Sequence, residues 1–297
     1  MAAVDKKGRI ALVHILARQV SWDIFKYLLD HCIQSDVRDA NGVHIFNMQD
    51  QEGKTLLYHA VSYGRLRIVE FLLDHEVDPT VRDYCGRFPL YNAVLLRHSA
   101  IVYALVKQRP DTINLQYCVT GDTPFSVAAT LNNVELVRLF LNNGADLGLK
   151  DEAGCTVIAK TIIKESCAAL QVILNYANQR GIEVVNNVTG NGWNALQCAL
   201  MKDNVEIFRV VIEHMVGNSI DPSMTRESLI KLKQILLTKH KTIIELDVFE
   251  AAMFHNHSKI NCFLHECEKL YDLKMEDTMR SRENNWLLNI LQNNNVM

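Results

Sequence analysis

The sequence predicts an all-α solenoid of paired short helices joined by hairpin loops, with helices that cap its C-terminal end. Two observations carry this prediction. Glycines recur at Gly53, Gly86, Gly121 and Gly154, in steps of 33, 35 and 33 residues. Two short apolar runs separated by a break follow each of these glycines. A repeat of this length is typical of stacked helical units, each of which buries its apolar face against its neighbours.

Each unit is predicted to contain two amphipathic helices after its glycine. One unit places the first helix at residues 55–60 and the second at 68–73, and a later unit places them at 123–128 and 136–141. Apolar residues in these runs recur at the spacing of one helix face. Asn, Gly and Asp at 143–146 are turn residues that close the pair.

Two spacings depart from the regular step. Gly192 follows Gly154 by 38 residues, and the five surplus residues are expected in the polar stretch around 179–181. A further unit opens the chain at Gly8, and about twelve extra residues around 39–42 separate it from the next unit. The array is therefore predicted to hold about six units.

The units resemble the ankyrin repeat. Its threonine-proline-leucine-histidine start is approximated at 55–59 and 123–126, and its leucine-leucine and glycine-alanine-aspartate ends are visible at 72–73 and 144–146. The resemblance covers residues 1–216. It implies that His59 takes the histidine position of the repeat and hydrogen-bonds the backbone of a neighbouring hairpin.

The C-terminal segment, residues 217–297, follows the pattern less closely. Residues 228–239 are predicted to form one amphipathic helix, and residues 246–254 and 259–270 a helix pair. The last unit of a stack would otherwise expose its apolar face, so this segment is expected to be a degenerate seventh repeat plus a cap. The alternative is a docking module for a partner.

Composition restricts the class of protein. Hydrophobic residues make up 48% of the chain, charged residues 22%, and the net charge is -3, which favours a globular protein and disfavours a nucleic-acid partner. No apolar run approaches the roughly 18 residues that a membrane span needs. Eight cysteines without a Cys-x-x-Cys pair indicate reduced thiols. We expect a cytoplasmic protein, with the nucleus as a second location.

The sequence lacks the common catalytic motifs, so no enzymatic activity, cofactor or small-molecule substrate is expected. The strongest chemical cluster contains His255, His257, Cys262, His265 and Cys267. These residue types ligate zinc, but their spacing does not match the usual zinc motifs. We therefore favour core cysteines and solvated histidines over a metal site.

Proteins of the resembled family generally bind partners through the hairpin tips and the first helix of each pair, which line a concave face. Large apolar residues recur on these helices, and Lys54, Arg87, Glu152 and Lys202 are expected to rim them. Such a stripe suits an extended peptide or a partner helix. The alternative is that the stack, or the C-terminal segment, buries it. The predicted partner-binding residues are Tyr63, Tyr84, Arg87, Leu95, Leu96, Leu131, Ile163, Lys164, Trp193, Met201 and Lys202.

The resemblance implies a non-enzymatic scaffold or adaptor that binds a protein partner. Because a fold determines a surface and not a partner, this step is an analogy with the family. The alternative function is an adaptor or pathogen effector whose C-terminal helices recruit a second factor, such as ubiquitin-ligase machinery.

Overall fold

The protein is all-α throughout the residues that its structure describes, which confirms the predicted fold class. The computed structural model describes residues 5–217, apart from 7, 19–20, 40, 76, 187 and 191, together with residues 259–260. Within these ranges two 3-10 turns and one isolated bridge accompany the helices. The α-helices are α1 (Ala11–Ala17), α2 (Trp22–Gln34), α3 (Leu56–Ser62), α4 (Leu66–Leu73), α5 (Pro89–Leu95), α6 (Ser99–Gln108), α7 (Pro124–Thr130), α8 (Val134–Asn142), α9 (Val157–Ile163), α10 (Cys167–Arg180), α11 (Ala195–Leu200) and α12 (Val205–Val216).

The helices alternate between two layers. We call the odd-numbered helices inner and the even-numbered helices outer. Inner α3 contacts α5, α5 contacts α7, and α7 contacts α9, while outer α4, α6, α8 and α10 contact one another in the same order. Each inner helix also packs on the outer helix that follows it. These contacts are those of a repeat stack, in which each unit touches its neighbours.

The chain divides into two compact units, Met1–Asn194 and Ala195–Met297. The first contains α1 to α10, and the second contains α11 and α12, which pack on each other. The predicted boundary between an array over 1–216 and a segment over 217–297 stays a prediction.

One position in each of four inner helices holds a large side chain that is almost fully buried. Leu57, Leu90, Phe125 and Ile158 each lie two residues after the N-cap of their helix and are at most 1% exposed. Burying such a side chain contributes about 1.5–3 kcal/mol relative to its exposure in water. No helix in the described ranges combines the length and apolar character that a membrane crossing needs.

Two of the inner helices, α3 and α7, begin at threonines whose side chains cap them. The Thr55 hydroxyl accepts a hydrogen bond from the Tyr58 N–H at 3.2 Å, and the Thr123 hydroxyl accepts one from the Ser126 N–H at 3.0 Å. Ser126 completes a capping box by accepting from the Thr123 N–H. Each cap satisfies a backbone donor that the first helical turn leaves unpaired.

The turns that follow inner helices α3, α5, α7, α9 and α11 each contain a left-handed residue. Gly64 has φ of 68°, and Arg97, Asn132 and Glu165 adopt φ of 58°, 54° and 55° at the equivalent positions. Glycine also suits the first of these turns because a Cβ at Gly64 would lie 3.2 Å from the ring of His98. The other three residues adopt a conformation that is less favourable for side chains with a Cβ.

Two of these turns also hold the start of a later helix. Asn132 Oδ1 accepts a hydrogen bond from the N–H of Ala169, in the first turn of α10. Asp203 Oδ1, in the turn after α11, accepts one from the N–H of Ile260 at 3.2 Å. Residues 259–260 are helical and Ile260 is fully buried. The Asp203 side chain thus accepts from the backbone of Ile260 in the same way that the Asn132 side chain accepts from the backbone of Ala169.

This contact agrees with the predicted helix at residues 259–270, of which only the first two residues are described. The predicted helices at 228–239 and 246–254 lie outside the described residues. The choice between a cap, a seventh unit and a docking module therefore stays open.

The irregular spacings have structural explanations. The surplus residues before Gly192 lengthen α10 to 14 residues, and this helix ends at Gly181 in the left-handed conformation. The extra residues after the first unit form a turn closed by Asp39, whose Oδ1 accepts from the Val43 N–H, and a 3-10 turn at Ile45–Asn47.

Candidate protein-binding surface

An acidic side chain closes most of the hairpin tips. Asp50 Oδ1 accepts a hydrogen bond from the Lys54 N–H at 2.9 Å. Asp83 Oδ1 accepts from the Arg87 N–H at 2.8 Å, and Asp151 makes the same contact to the N–H four residues later. Because the turn satisfies its own backbone donors, each tip has a defined shape before any partner binds.

Long polar side chains connect successive tips. Gln49 donates to the carbonyl of Arg82 at 2.9 Å, Arg82 to the carbonyl of Gln116 at 2.8 Å, and Gln116 to the carbonyl of Lys150 at 2.8 Å. The same three side chains also donate to a carbonyl within their own turn. This chain of contacts keeps four tips in register.

The tips present large side chains to solvent. Tyr84 is 74% exposed and Val119 is 62% exposed. The ring of Tyr84 lies against the preceding tip. A Cβ added to Gly53 would lie 2.7 Å from the ring and 2.7 Å from the backbone nitrogen of Tyr84. Tyr84 therefore offers one fixed aromatic face at low cost in side-chain entropy.

The C-terminal ends of the inner helices form a second exposed set. Tyr63, Leu95, Leu96 and Ile163 are 42%, 42%, 44% and 43% exposed, whereas Leu131 is half-buried. Each occupies one of the two positions before the left-handed turn residue. We call Tyr63, Leu95, Leu96, Leu131 and Ile163 the apolar row. The stack leaves most of this row in solvent, and its role in binding stays a prediction.

The remaining predicted residues are placed less uniformly. Lys164 is exposed at the end of α9. Trp193 is half-buried, and its backbone pairs with Val188 in the same hairpin, so its indole is less available than the ring of Tyr84. In the second compact unit, Met201 is 45% exposed and Lys202 is half-buried.

Two charges expected to rim the surface are neutralised within their own tips. Lys54 Nζ lies 2.5 Å from a carboxylate oxygen of Glu52. Arg87 pairs with Asp83 at 3.1 Å, and the Asp83 side chain is 1% exposed. Because the turn brings each pair together, neither cation is free to attract a partner.

Unpaired cations lie instead beside the apolar row, at positions that the sequence prediction largely missed. Arg65, Arg97 and Lys164 are at least partly exposed, and none forms an ion pair or hydrogen bond through its side chain with any residue that the structure describes. The signal available in the sequence was their position, since each lies within two residues of the row.

The role expected for His59 is wrong. Tyr58, three residues after the N-cap Thr55, holds the histidine position of the repeat. His59 Nε2 contacts Asp50 Oδ2 at 2.8 Å within its own unit rather than a neighbouring backbone. Burial lowers the pKa of His59, against the opposing effect of the Asp50 carboxylate. The imidazole is therefore neutral at pH 7, and we assign Nε2 as the donor.

A three-charge cluster joins two neighbouring tips. Lys160, on inner helix α9, contacts both Asp122 and Asp151, the latter at 2.7 Å. Burial alone would raise the pKa of Asp122, but hydrogen bonds from Lys160 and Thr120 hold it below its ordinary value. Burial likewise opposes the charge of Lys160, yet the two carboxylates raise its pKa. The cluster is structural, since its groups satisfy one another.

In the sequence, a tip aspartate and the basic side chain that it contacts are nine residues apart. Asp50 pairs with His59 and Asp151 with Lys160, both at a separation of nine, and the tip of the first unit repeats the pattern at Asp5 and His14. A search for tip aspartates followed by a basic residue nine positions later would have found all three pairs.

No group of three potential metal ligands occurs among the residues that the structure describes. The candidate zinc ligands His255, His257, Cys262, His265 and Cys267 lie outside those residues. The interpretation of that cluster therefore rests on spacing alone.

Comparison with known proteins identifies the repeats. The family model described as ankyrin repeats (3 copies) matches residues 1–83, 78–151 and 125–226. Human transient receptor potential cation channel subfamily A member 1 is 26% identical over 188 residues, which cover 62% of this chain and 16% of the channel. Neurogenic locus notch homolog protein 1 of Xenopus laevis is 30% identical over 139 residues, which cover 46% of this chain and 6% of that protein. This chain therefore matches only a small part of either relative.

Proposed function

This chain belongs to the ankyrin-repeat family, and we propose that it binds a protein partner through its hairpin tips and its apolar row. Ankyrin repeats are general protein–protein interaction modules. The partner-binding surface that we propose for this chain combines the exposed tip residues with the exposed ends of the inner helices. It contains Tyr63, Tyr84, Leu95, Leu96, Leu131, Ile163 and Lys164, with contributions from Arg87 and Trp193. Met201 and Lys202 are proposed as partner-binding residues of the second compact unit.

The observation that carries this proposal is the exposure of the apolar row. Tyr63, Leu95, Leu96 and Ile163 leave more than 40% of their surface in water. The repeat framework does not require large apolar groups there. Other units hold Ser62 and Thr130 at the position of Leu95 and Ile163, and another unit holds Lys164 at the position of Tyr63 and Leu96. Exposed apolar groups that recur on one surface are typical of interaction sites.

Tyr84 is the strongest single anchor on the tips. Tyrosine is enriched among the residues that carry most binding energy, and the ring of Tyr84 is both exposed and held in place by Gly53. The bridged tips supply a preorganised frame around this ring. A partner that covers Tyr84 and the apolar row would bury several large side chains at once.

We further propose that the protein is a non-enzymatic scaffold or adaptor in the cytoplasm, with no nucleic-acid or small-molecule partner. The alternative remains an adaptor or effector whose C-terminal helices recruit a second factor. One experiment distinguishes these two proposed functions. Deletion of residues 218–297 removes a second captured protein only if that segment docks one, whereas loss of every captured protein together with solubility points to a cap.

The proposal is tested by Leu96→Lys, with Tyr103→Lys as its matched control. Leu96 is 44% exposed at the end of inner helix α5, and Tyr103 is 40% exposed on outer helix α6. Both variants are compared with wild type by proximity labelling and mass spectrometry, after circular dichroism shows that they are folded. We expect Leu96→Lys to lose partners that Tyr103→Lys retains, with an affinity loss of about 2 kcal/mol for a hot-spot residue.

Equal labelling by a folded Leu96→Lys protein would show that the apolar row is not the binding surface. Loss in the Tyr103→Lys protein alone would move recognition to the outer helices.

A further inference from the structure

Positively charged side chains outnumber negatively charged ones beside the apolar row. Arg65, Arg97 and Lys164 follow or belong to the ends of inner helices α3, α5 and α9, and their side chains have no partner among the described residues. Glu165 is the one acidic residue at these positions, and it already interacts within the chain. The net charge of this band is therefore positive even though the whole protein carries -3.

This local excess has a consequence for binding. A cation that lies beside exposed apolar surface is attracted to a carboxylate that approaches with an apolar group. Two of the tip cations, Lys54 and Arg87, already pair with carboxylates of their own turns. The position of the free cations thus specifies where a partner would carry its acidic groups, beside its apolar stripe.

The spacing of the row distinguishes a helix from an extended strand. Packed helices lie about 8–10 Å apart, so the ends of successive inner helices are separated by about that distance. Seven residues of an α-helix rise about 10.5 Å and return to the same helix face. A step of three residues along an extended strand covers about 10 Å, but the side chain at the end of that step points to the opposite face of the strand from the first.

We propose that the apolar row binds an amphipathic helix with apolar residues at seven-residue spacing and acidic residues flanking them. This inference rests on the proposed function and specifies the chemistry of the partner. Across the inner helices α3, α5, α7 and α9 the row spans about three inter-helix steps, or about 27 Å, which corresponds to about 18 helical residues. Tyr63 and Ile163 would contact the two ends of this helix.

The probes are two synthetic 21-residue peptides of equal apolar content. Both carry leucine at seven-residue spacing, with a second leucine four residues after each on the same face. The acidic peptide has glutamate at the flanking positions, and the basic peptide has lysine there. Binding to the full-length protein is measured by fluorescence anisotropy with nanomolar labelled peptide, at 50 mM and at 500 mM NaCl.

We expect the acidic peptide to bind at least tenfold more tightly than the basic one, and this ratio to fall at 500 mM NaCl because salt screens exposed charges. The double variant Arg97→Glu, Lys164→Glu should reverse the preference. Glutamate is compatible with position 97, since Glu165 adopts the equivalent left-handed conformation. Arg138→Glu, on outer helix α8, is the control and should leave the ratio unchanged.

The remaining outcomes contradict either the inference of an acidic helix alone or the proposed function as well. Equal or tighter binding of the basic peptide, or no binding of either, contradicts an acidic helix as the partner. If both peptides bind equally and Leu96→Lys abolishes both, the apolar row is the binding surface and only the charge preference is wrong. If Leu96→Lys leaves the affinity of the acidic peptide unchanged, the row is not the site and the proposed function fails as well.

Discussion

Replacement of Lys160 by methionine tests whether the buried cluster holds two repeat tips together. The side chains of Lys160, Asp151 and Asp122 are only 14%, 12% and 22% exposed. Methionine has a similar length but no charge, so both carboxylates would lose their shared cation. Removal of one partner from a fully buried ion pair costs about 3–5 kcal/mol, and an exposed pair contributes about 0–1 kcal/mol.

The remaining hydrogen bonds place the expected cost of Lys160→Met at the lower end of the range for buried ion pairs. Asp122 keeps hydrogen bonds from Thr120 at 2.7 Å and from Ser126 at 2.9 Å, and Asp151 keeps its contact to the Cys155 N–H. We therefore expect Lys160→Met to lower the free energy of unfolding by about 3 kcal/mol. Lys164→Met, an exposed and unpaired lysine on the same helix end, should change stability by less than about 0.5 kcal/mol.

The effect should depend on pH. In the wild type the pKa of Asp122 lies below its ordinary value of 3.8, so its charged interaction stabilises the fold above that pH and is lost as the pH falls through the folded pKa. In the variant, burial without the lysine favours the protonated acid. The difference in stability between Lys160→Met and wild type should therefore be largest near pH 7 and shrink below about pH 4.

Urea denaturation of wild type, Lys160→Met and Lys164→Met at pH 7 and at pH 3.5 measures these differences. Adding Asp122→Asn and Asp151→Asn to Lys160→Met should recover part of the loss at pH 7, because no uncompensated charge remains. Equal stability of the two lysine variants at pH 7, or a deficit that persists unchanged in acid, would refute the reasoning.

Three further substitutions test the turns. Asn132→Gly relieves a left-handed residue but removes the acceptor of the Ala169 N–H, so calorimetry should show a net loss of about 1 kcal/mol rather than a gain. Ile260→Asp should lower stability by several kcal/mol, because the side chain is fully buried; hydrogen exchange should show the loss around Asp203, and unchanged protection there would contradict the contact. Gly53→Ala should cost about 1–3 kcal/mol by urea denaturation, since φ is 77° and the Cβ meets backbone at 2.7 Å.

Helix positions could be predicted because they depend on local pattern. The second run of one unit was predicted at residues 68–73, and α4 spans Leu66–Leu73. The first run was predicted at 55–60, and α3 spans Leu56–Ser62 because Thr55 is the extended N-cap. Apolar periodicity locates the middle of a helix, whereas capping geometry decides its ends.

Contacts between units could not be predicted in the same way. Lys160 and Asp122 are separated by 38 residues, and they meet only because inner helix α9 packs against α7. Two of the free cations beside the row, Arg65 and Arg97, were missed for a related reason. Whether Arg87 or Arg97 is available depends on which of them has a carboxylate nearby, and Asp83 is brought to Arg87 by the turn.

The chain's own repeats separate the positions that build the fold from those that are free to bind. At the fifth residue after the N-cap, Ala60, Ala93, Ala128 and Thr161 are all fully buried, because two packed inner helices favour a small side chain there. Two residues later the side chain varies between units and includes the exposed Leu95 and Ile163. The packed position holds a small residue in each of these four units, whereas a position in solvent has no such constraint on size. Packing within the stack therefore does not account for the large apolar groups at Leu95 and Ile163, and the binding experiments target the apolar row for this reason.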